Sequence, residues 1–261
     1  MTEQQKPNGS HQEEDLADHE QDILTSYKQI ASIFLKLLSS TLALAFLAYP
    51  IGWVYTKSYL SSFNAAWMLS NIQPATILQN SAIFILIFIF NILCTVADYC
   101  RGSRMIDFIN KFSMYTAIVG VICIIISGVL LFYEFPKFSY LMAYVSFYAI
   151  SAFSTNTIIS MFDCIRTGKK WTGNIIFTLF VSFYLSFIAC PQNAARGDAA
   201  IDLDPNFSTL PIATLRNDKK IYKLIHNNNN LFYLADIYNK KHIEIHVVNY
   251  DEISSITKKY D

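Results

Sequence analysis

The residues whose types and spacing best suit chemistry lie near the C-terminus, in the run HIEIH. On a β-strand, alternate side chains share a face, so His242, Glu244 and His246 would point the same way. Imidazole and carboxylate groups are zinc ligands, and His226 could approach from a neighbouring strand. The other interpretation is the solvated face of an amphipathic strand, because zinc ligands usually converge more tightly. We predict that this run binds no metal and that the chain uses no cofactor.

A second polar pattern lies in an uncharged run in the middle of the chain. Its members are spaced i, i+4, i+7 and i+11, which places them on one face of a helix. They are Tyr144, Tyr148, Ser151 and Thr155. We expect this polar stripe to face the interior of a helix bundle and to form interhelical hydrogen bonds. The alternative is that the stripe lines a narrow aqueous path.

Motifs of known enzyme classes are missing from the sequence. It contains no HExxH, no GxSxG and no phosphate-binding glycine loop. The five cysteines have no spacing typical of metal ligands or of a disulfide framework. No basic patch indicates nucleic-acid binding. We therefore predict that the chain is not an enzyme and does not bind nucleic acid.

The distribution of charge predicts a polytopic α-helical membrane protein. A helix needs roughly twenty mostly apolar residues to cross the hydrocarbon core, and several uncharged runs are this long. The predicted spans are about 33–55, 77–97, 112–133, 140–162 and 172–190. They form a five-helix transmembrane bundle within residues 29–190. In the third span, Gly120 and Gly128 would let a neighbouring helix approach closely.

Three segments flank or interrupt the predicted spans. Residues 1–28 are acidic and polar, which is typical of a disordered tail. Residues 58–76 are uncharged but rich in small polar side chains, so we predict an interfacial connector with Tyr59, Phe63 and Trp67 turned toward lipid. Pro191 is expected to end the fifth helix and to begin an irregular acidic linker.

The pattern changes to short alternating runs in the C-terminal region, residues 191–261. Runs rich in β-branched and aromatic residues flank the sequence NNNN, which is a natural hairpin loop because asparagine tolerates positive φ. We predict a small β-rich antiparallel domain after the linker. Three aromatic residues in it, Phe232, Tyr233 and Tyr238, are candidate anchors for a protein partner.

The basic residues of the short loops predict the orientation. They cluster in two alternate connections, and positive loops stay in the cytoplasm. These residues are Arg101, Arg104, Lys111, Arg166, Lys169 and Lys170. The N-terminus is then cytoplasmic, and the C-terminal domain is periplasmic or extracellular. In a bacterium the predicted location is the inner membrane.

The leading functional hypothesis is a non-enzymatic binding or sensing module in the membrane. Its partners would be the lipid bilayer and a protein recognised by the C-terminal domain. A narrower version is bacterial envelope defence, or immunity against a toxin or phage component. The alternative is an oligomeric channel or passive transporter lined by the fourth helix, and such a channel would be built from several copies of the chain.

Overall fold

The structure, a computed structural model, describes residues 41–99, 103–166, 173–218, 220–228, 230–237 and 243–257, together with Thr25, Ser32 and Lys36. Nearly all of the predicted tail, residues 1–28, falls outside these ranges. The helices are α1 (Thr41–Ser62), α2 (Pro74–Asn80), α3 (Ala82–Tyr99), α4 (Ser103–Phe132), α5 (Pro136–Arg166), α6 (Gly173–Tyr184) and α7 (Cys190–Asp202). A 3₁₀ helix covers Ala66–Asn71, and a π turn covers Leu185–Ala189.

Two helices within the described residues are long and apolar enough to cross a membrane: Met114–Phe132 and Ile176–Asp202. A third span arises if Pro74–Asn80 and Ala82–Thr95, which are bent by 51°, count as one broken helix. Helices α1 and α5 do not pass the same test over the part of the chain that the structure describes. The helical, membrane-compatible character of the fold is therefore confirmed, whereas the count of five spans is not reached.

The prediction that Pro191 ends a helix and begins an irregular linker was wrong. Helix α6, the π turn and helix α7 follow one another without a break from Gly173 to Asp202. Pro191 lies in the first turn of α7, a position where proline is tolerated, and the wider π turn comes directly before it. The supposed linker is a packed helix, and several of its small side chains are buried: Ala194, Ala195 and Ala199.

The predicted antiparallel sheet at the C-terminus is confirmed. Its strands are β1 (Ile212–Leu215), β2 (Ile221–Asn228), β3 (Leu231–Asp236), β4 (Glu244–Asn249) and β5 (Ile253–Thr257). They are ordered β4-β3-β2-β1-β5, and each neighbouring pair is antiparallel. Strands β2 and β3 pair as a hairpin on either side of the asparagine run, and Asn228 pairs with Leu231.

The sheet packs directly on one end of the helices. Leu60 and Phe63, at the end of α1, share a buried core with Tyr233 of β3. The Asn228 side-chain amide donates a hydrogen bond of 2.7 Å to the carbonyl of Asn71. We call this contact, between the sheet and residues 60–77 of the helical part, the sheet–bundle seam.

The seam also corrects the expected role of the 58–76 connector. Phe63 is fully buried because the sheet covers it, so the prediction that it turns toward lipid was wrong. Tyr59 points inward as well, and its hydroxyl donates a hydrogen bond to Asp202. Trp67 is half exposed, and its ring centroid lies 6.1 Å from that of Tyr233. The connector is thus mainly a platform for the sheet.

Candidate functional site

The structure places two histidines of the candidate metal site, His226 and His246, apart. Register pairs Leu234 with His246 on β4, but a β-bulge between Leu224 and His226 shifts β2, so that His226 pairs with Tyr233. Because neighbours along β3 point to opposite faces, His226 and His246 lie on opposite faces of the sheet. The idea that His226 approaches the HIEIH run was therefore wrong.

Glu244 and His246 form no ligand cluster with any other residue that the structure describes. Glu244 Oε2 lies 3.7 Å from His246 Nε2, and the His246 ring packs edge-on against Tyr222 at 5.0 Å. His242 lies outside the described residues. Within the described ranges, no three His, Cys, Asp or Glu side chains are close enough to bind a metal ion.

A short polar network involves the hydroxyl of the buried Tyr222. The Tyr222 hydroxyl donates a hydrogen bond of 2.6 Å to Asp218, and this bond raises the pKa of Tyr222 to about 12. The same bond lowers the pKa of the Asp218 carboxyl, because it favours the charged form. Lys220 adds an ion pair of 3.8 Å to Asp236. These contacts join Asp218 and Lys220 to strands β2 and β3.

Two of the three candidate partner anchors lie inside the fold. Phe232 is buried on one face of the sheet with Tyr222 and Leu234. Tyr233 is buried in the seam on the other face, where its hydroxyl accepts a hydrogen bond from the Asn71 amide. Neither ring is available to a partner in the folded protein. Tyr238 lies outside the described residues.

The polar stripe of α5 is divided between packing and exposure. Ser151 and Thr155 are buried; Ser151 accepts a hydrogen bond of 2.6 Å from the Asn91 side chain, and Thr155 donates to the carbonyl of Ser151. Tyr144 stacks on Phe84. Tyr148 departs from the expectation because its side chain is 46% exposed and points outward.

Two carboxylates that the sequence analysis did not single out lie against α1. The Tyr55 hydroxyl donates a hydrogen bond of 2.6 Å to Asp198, and the Tyr59 hydroxyl donates one of 2.8 Å to Asp202. Asp202 also accepts hydrogen bonds from the backbone N–H and the hydroxyl of Thr209. Its side chain joins α7, α1 and the segment that leads into β1.

One sequence signal could have revealed these carboxylates. Asp198 and Asp202 are spaced i, i+4 among alanines in the run AARGDAAID, and this spacing puts both on one helical face. The signal was hidden because Pro191 was taken as the end of the helix.

A cavity of about 490 Å³ lies where the sheet meets the helix ends. Its size falls within the range of roughly 300–1,000 Å³ that is typical of small-molecule sites. Its walls are mainly apolar and come from the α4–α5 turn, from the end of α7 and the segment after it, and from the residues next to the facing ends of β3 and β4. The wall residues include Leu131, Phe135, Phe138, Ile201, Leu203, Phe207, Ile237 and Ile243. We call this space the junction cavity.

Charged residues also line the junction cavity. Among the described residues, these are Glu134, Lys137 and Asp204. The Lys137 ammonium lies 4.1 Å from the centre of the Phe207 ring, which is a cation–π contact. The cavity therefore combines an apolar wall with charges of both signs, an arrangement that suits an amphipathic ligand.

Comparisons with protein-family models, with curated proteins and with solved structures found no match for this chain.

His226 should make the stability of the seam depend on pH. Burial lowers the pKa of its imidazole, and its Nε2 atom is buried without a hydrogen-bond partner in the described structure. The unfolded chain therefore takes up the proton first as the pH falls below about 6.5, and this favours unfolding. The contribution of His226 to the free energy of unfolding is fully present above that pH. It is lost as the pH falls toward the lower pKa of the folded state.

We expect the apparent Tm of the purified protein to fall between pH 7.5 and pH 5, and to fall less in a His226→Gln variant. Light scattering or fluorescence-detected size exclusion after heating would measure the Tm. At pH 8 the His226 imidazole is neutral in both the folded and the unfolded chain. Comparing the two proteins at that pH therefore isolates the packing effect of the substitution. An identical fall in both proteins would contradict the assignment to His226.

Proposed function

We propose that the chain is a non-enzymatic multi-pass membrane protein that acts as a binding or sensing module, and that the junction cavity is its ligand site. The observation that carries this proposal is the composition of the cavity walls, which come from three separate parts of the fold. A ligand in such a space would contact the sheet and the helix ends together. Occupancy would then change how tightly the two are held, which is a physical basis for sensing.

The proposal includes five membrane crossings, with a cytoplasmic N-terminal tail and an extracytoplasmic sheet. Alternate helix connections should lie on the same side of a bilayer. The end of α1, the α4–α5 turn and the end of α7 all meet the sheet, as this arrangement requires. The basic connections, including Arg101 and Arg104, lie at the other ends of these helices in the chain order. Both features support the proposed sidedness.

Envelope defence or immunity in a bacterial inner membrane is the narrower form of the proposal. In that form, the module would report a disturbance at the outer surface of the membrane. A protein partner would bind the outer surface of the sheet, since the predicted anchors Phe232 and Tyr233 are buried.

The alternative function, a channel lined by α5, has less support. The hydroxyls of Ser151 and Thr155 take part in hydrogen bonds within the chain, as in ordinary helix packing. A channel would therefore need a pore between copies, which the exposed Tyr148 would line.

Photocrosslinking in cells would test the proposed ligand site. A benzophenone amino acid would replace Phe207, which lines the cavity, and in a control it would replace Phe46, which is 78% exposed on α1. We expect one discrete class of adduct at position 207, whose members share a single polar group, and a mixture of classes at position 46, both read by mass spectrometry. The discrete adduct should disappear when Ile201→Trp fills the cavity.

Two results would overturn the proposal. One is the same heterogeneous set of adducts at both positions. The other is a discrete adduct at position 207 that persists in a folded Ile201→Trp protein. If that variant does not fold, Ile243→Phe fills the cavity from the sheet side and takes its place.

A further inference from the structure

We infer that the junction cavity binds a zwitterionic phospholipid, with the headgroup among the charged residues and the upper part of an acyl chain along the apolar wall. The inference rests on the proposed function and specifies its ligand. It is carried by three features: a continuous apolar path out of the cavity, the signs of the charges that line it, and the backbone conformation of Glu134.

The apolar path runs from the cavity along the outside of α5. Phe138 lines the cavity, and its side chain is exposed. Leu141 and Val145 follow at i+3 and i+7 and are exposed on the same helical face. An acyl chain that begins in the cavity can continue along this face, so the whole lipid does not need to fit in about 490 Å³.

The charges match a headgroup that carries both signs. Glu134 and Asp204 supply carboxylates for a headgroup ammonium, and Lys137 supplies an ammonium for the phosphate. The Lys137 contact with the Phe207 ring is one that a phosphate can share or replace. A headgroup that carries both an ammonium and a phosphate can pair with both signs of charge among the described lining residues, so the charges favour the zwitterion.

Glu134 occupies a backbone position that glycine normally takes. The Phe135 N–H bonds to the Leu130 carbonyl at 2.9 Å, and the Glu134 N–H bonds to that of Leu131 at 3.3 Å, which closes α4 with a glycine-type C-terminal motif. Glu134 has φ 62° there, in the left-handed region. A glutamate is strained at this position.

The end of α1 provides a comparison within the same chain. Asn64 occupies the corresponding position with φ 59°, and the Ala65 N–H bonds to the Leu60 carbonyl. Asparagine is a usual residue at this position, whereas glutamate is not. Strained backbone conformations are concentrated at functional sites, and this one lies at the cavity, which supports a binding role for the Glu134 carboxylate.

The test uses the full chain in nanodiscs that contain equal amounts of phosphatidylethanolamine and phosphatidylglycerol with identical acyl chains. Native mass spectrometry after release from the nanodisc would count the lipids retained per chain. We expect the wild type to keep one phosphatidylethanolamine. Glu134→Gly and Lys137→Gln should each lower the preference for this lipid about tenfold, the loss expected for one charge-assisted hydrogen bond.

Two controls separate binding from folding. Glu134→Gly should raise the Tm while it lowers lipid selectivity, because glycine relieves the backbone strain. Lys57→Gln removes another lysine that lies over an aromatic ring, 4.9 Å from Trp53, and should keep the wild-type lipid preference.

Equal retention of both lipids by the wild type, or no retained lipid, would overturn the inference. An unchanged preference in both Glu134→Gly and Lys137→Gln would also overturn it, since the lipid would then be adventitious. If the crosslink at position 207 joins a protein or a second copy of the chain, the proposed ligand site stands and the phospholipid does not.

Discussion

Gly52→Ala is expected to destabilise the folded chain by roughly 3 kcal/mol. A Cβ atom at position 52 would lie 1.9 Å from the carbonyl oxygen of Ile77, which is backbone of α2 and cannot rotate away. Helix α2 would have to shift, and Ile77 belongs to the buried core of the sheet–bundle seam. Two hydrogen bonds lie beside this contact. The Thr56 hydroxyl donates one to the Gly52 carbonyl and accepts the other from the Asn80 side chain.

The matched control is Gly128→Ala in α4. A Cβ atom there meets nothing within 4 Å, so the alanine should be neutral or should stabilise the helix by about 0.5–1 kcal/mol. The two variants make the same chemical change in two helices and differ in the space around it. Thermal unfolding in one detergent would compare both variants with the wild type. We expect Gly52→Ala to lower the Tm of the wild type by roughly 6–12 °C. Equal Tm values would show that α1 and α2 are not in close contact.

The same comparison tests a prediction about small residues in the third predicted span. Gly120 fits the expectation of close approach, since a Cβ atom there would lie 2.6 Å from the Ile150 side chain. Gly128 does not, because its surroundings are open. A sequence shows that a residue is small but does not show which side of the helix has a neighbour.

The strands could be predicted because their signal is local. Alternating apolar residues and the asparagine hairpin are read within a few positions, and all five strands form where the pattern changes. The placement of His226 was not predictable in this way. A single β-bulge moves it to the other face of the sheet, and a bulge leaves no clear mark in this sequence.

Long-range contacts account for the other differences. Phe63 lies in a connector whose composition resembles an interfacial segment, and only the sheet, far away in the chain, makes it a core residue. The wall of the junction cavity shows the same limit: Leu131, Ile201 and Ile237 come from segments with no common motif. Local spacing cannot bring such residues together before the fold is known.

Helix α7 connects the junction cavity with the helical core. Ile201 in its last turn and Leu203 just after it line the cavity, whereas Asp198 and Asp202 face tyrosines of α1. A ligand that moves the end of α7 would therefore strain these hydrogen bonds. This arrangement gives the proposed sensing function a physical route from the cavity to α1, and the strength of the Asp202 contacts decides how rigid the route is.

Asp202→Ala is expected to cost about 4 kcal/mol of folding free energy. The side chain is 5% exposed and accepts three hydrogen bonds, from the Tyr59 hydroxyl at 2.8 Å and from Thr209 N–H and hydroxyl at 3.0 and 3.1 Å. Alanine would leave these donors without their acceptor in a place that water reaches poorly. Tyr59→Phe removes only one of the bonds and should cost about 2 kcal/mol.

A double-mutant cycle would assign the energy to the pair. With Tyr59→Phe already present, Asp202→Ala should cost less than it does in the wild type, by about 1–2 kcal/mol, because one of its bonds is already gone. Asp204→Ala is the matched control. Asp204 lies two residues away, and its side chain accepts a hydrogen bond from the backbone N–H of Asn206, so the loss of this side chain should cost less than about 1 kcal/mol. Denaturant titration in mixed micelles would measure all four proteins of the cycle and the control. If Asp202→Ala costs no more than Asp204→Ala, α7 is held to α1 by apolar packing alone, and the route from the cavity to α1 does not pass through this carboxylate.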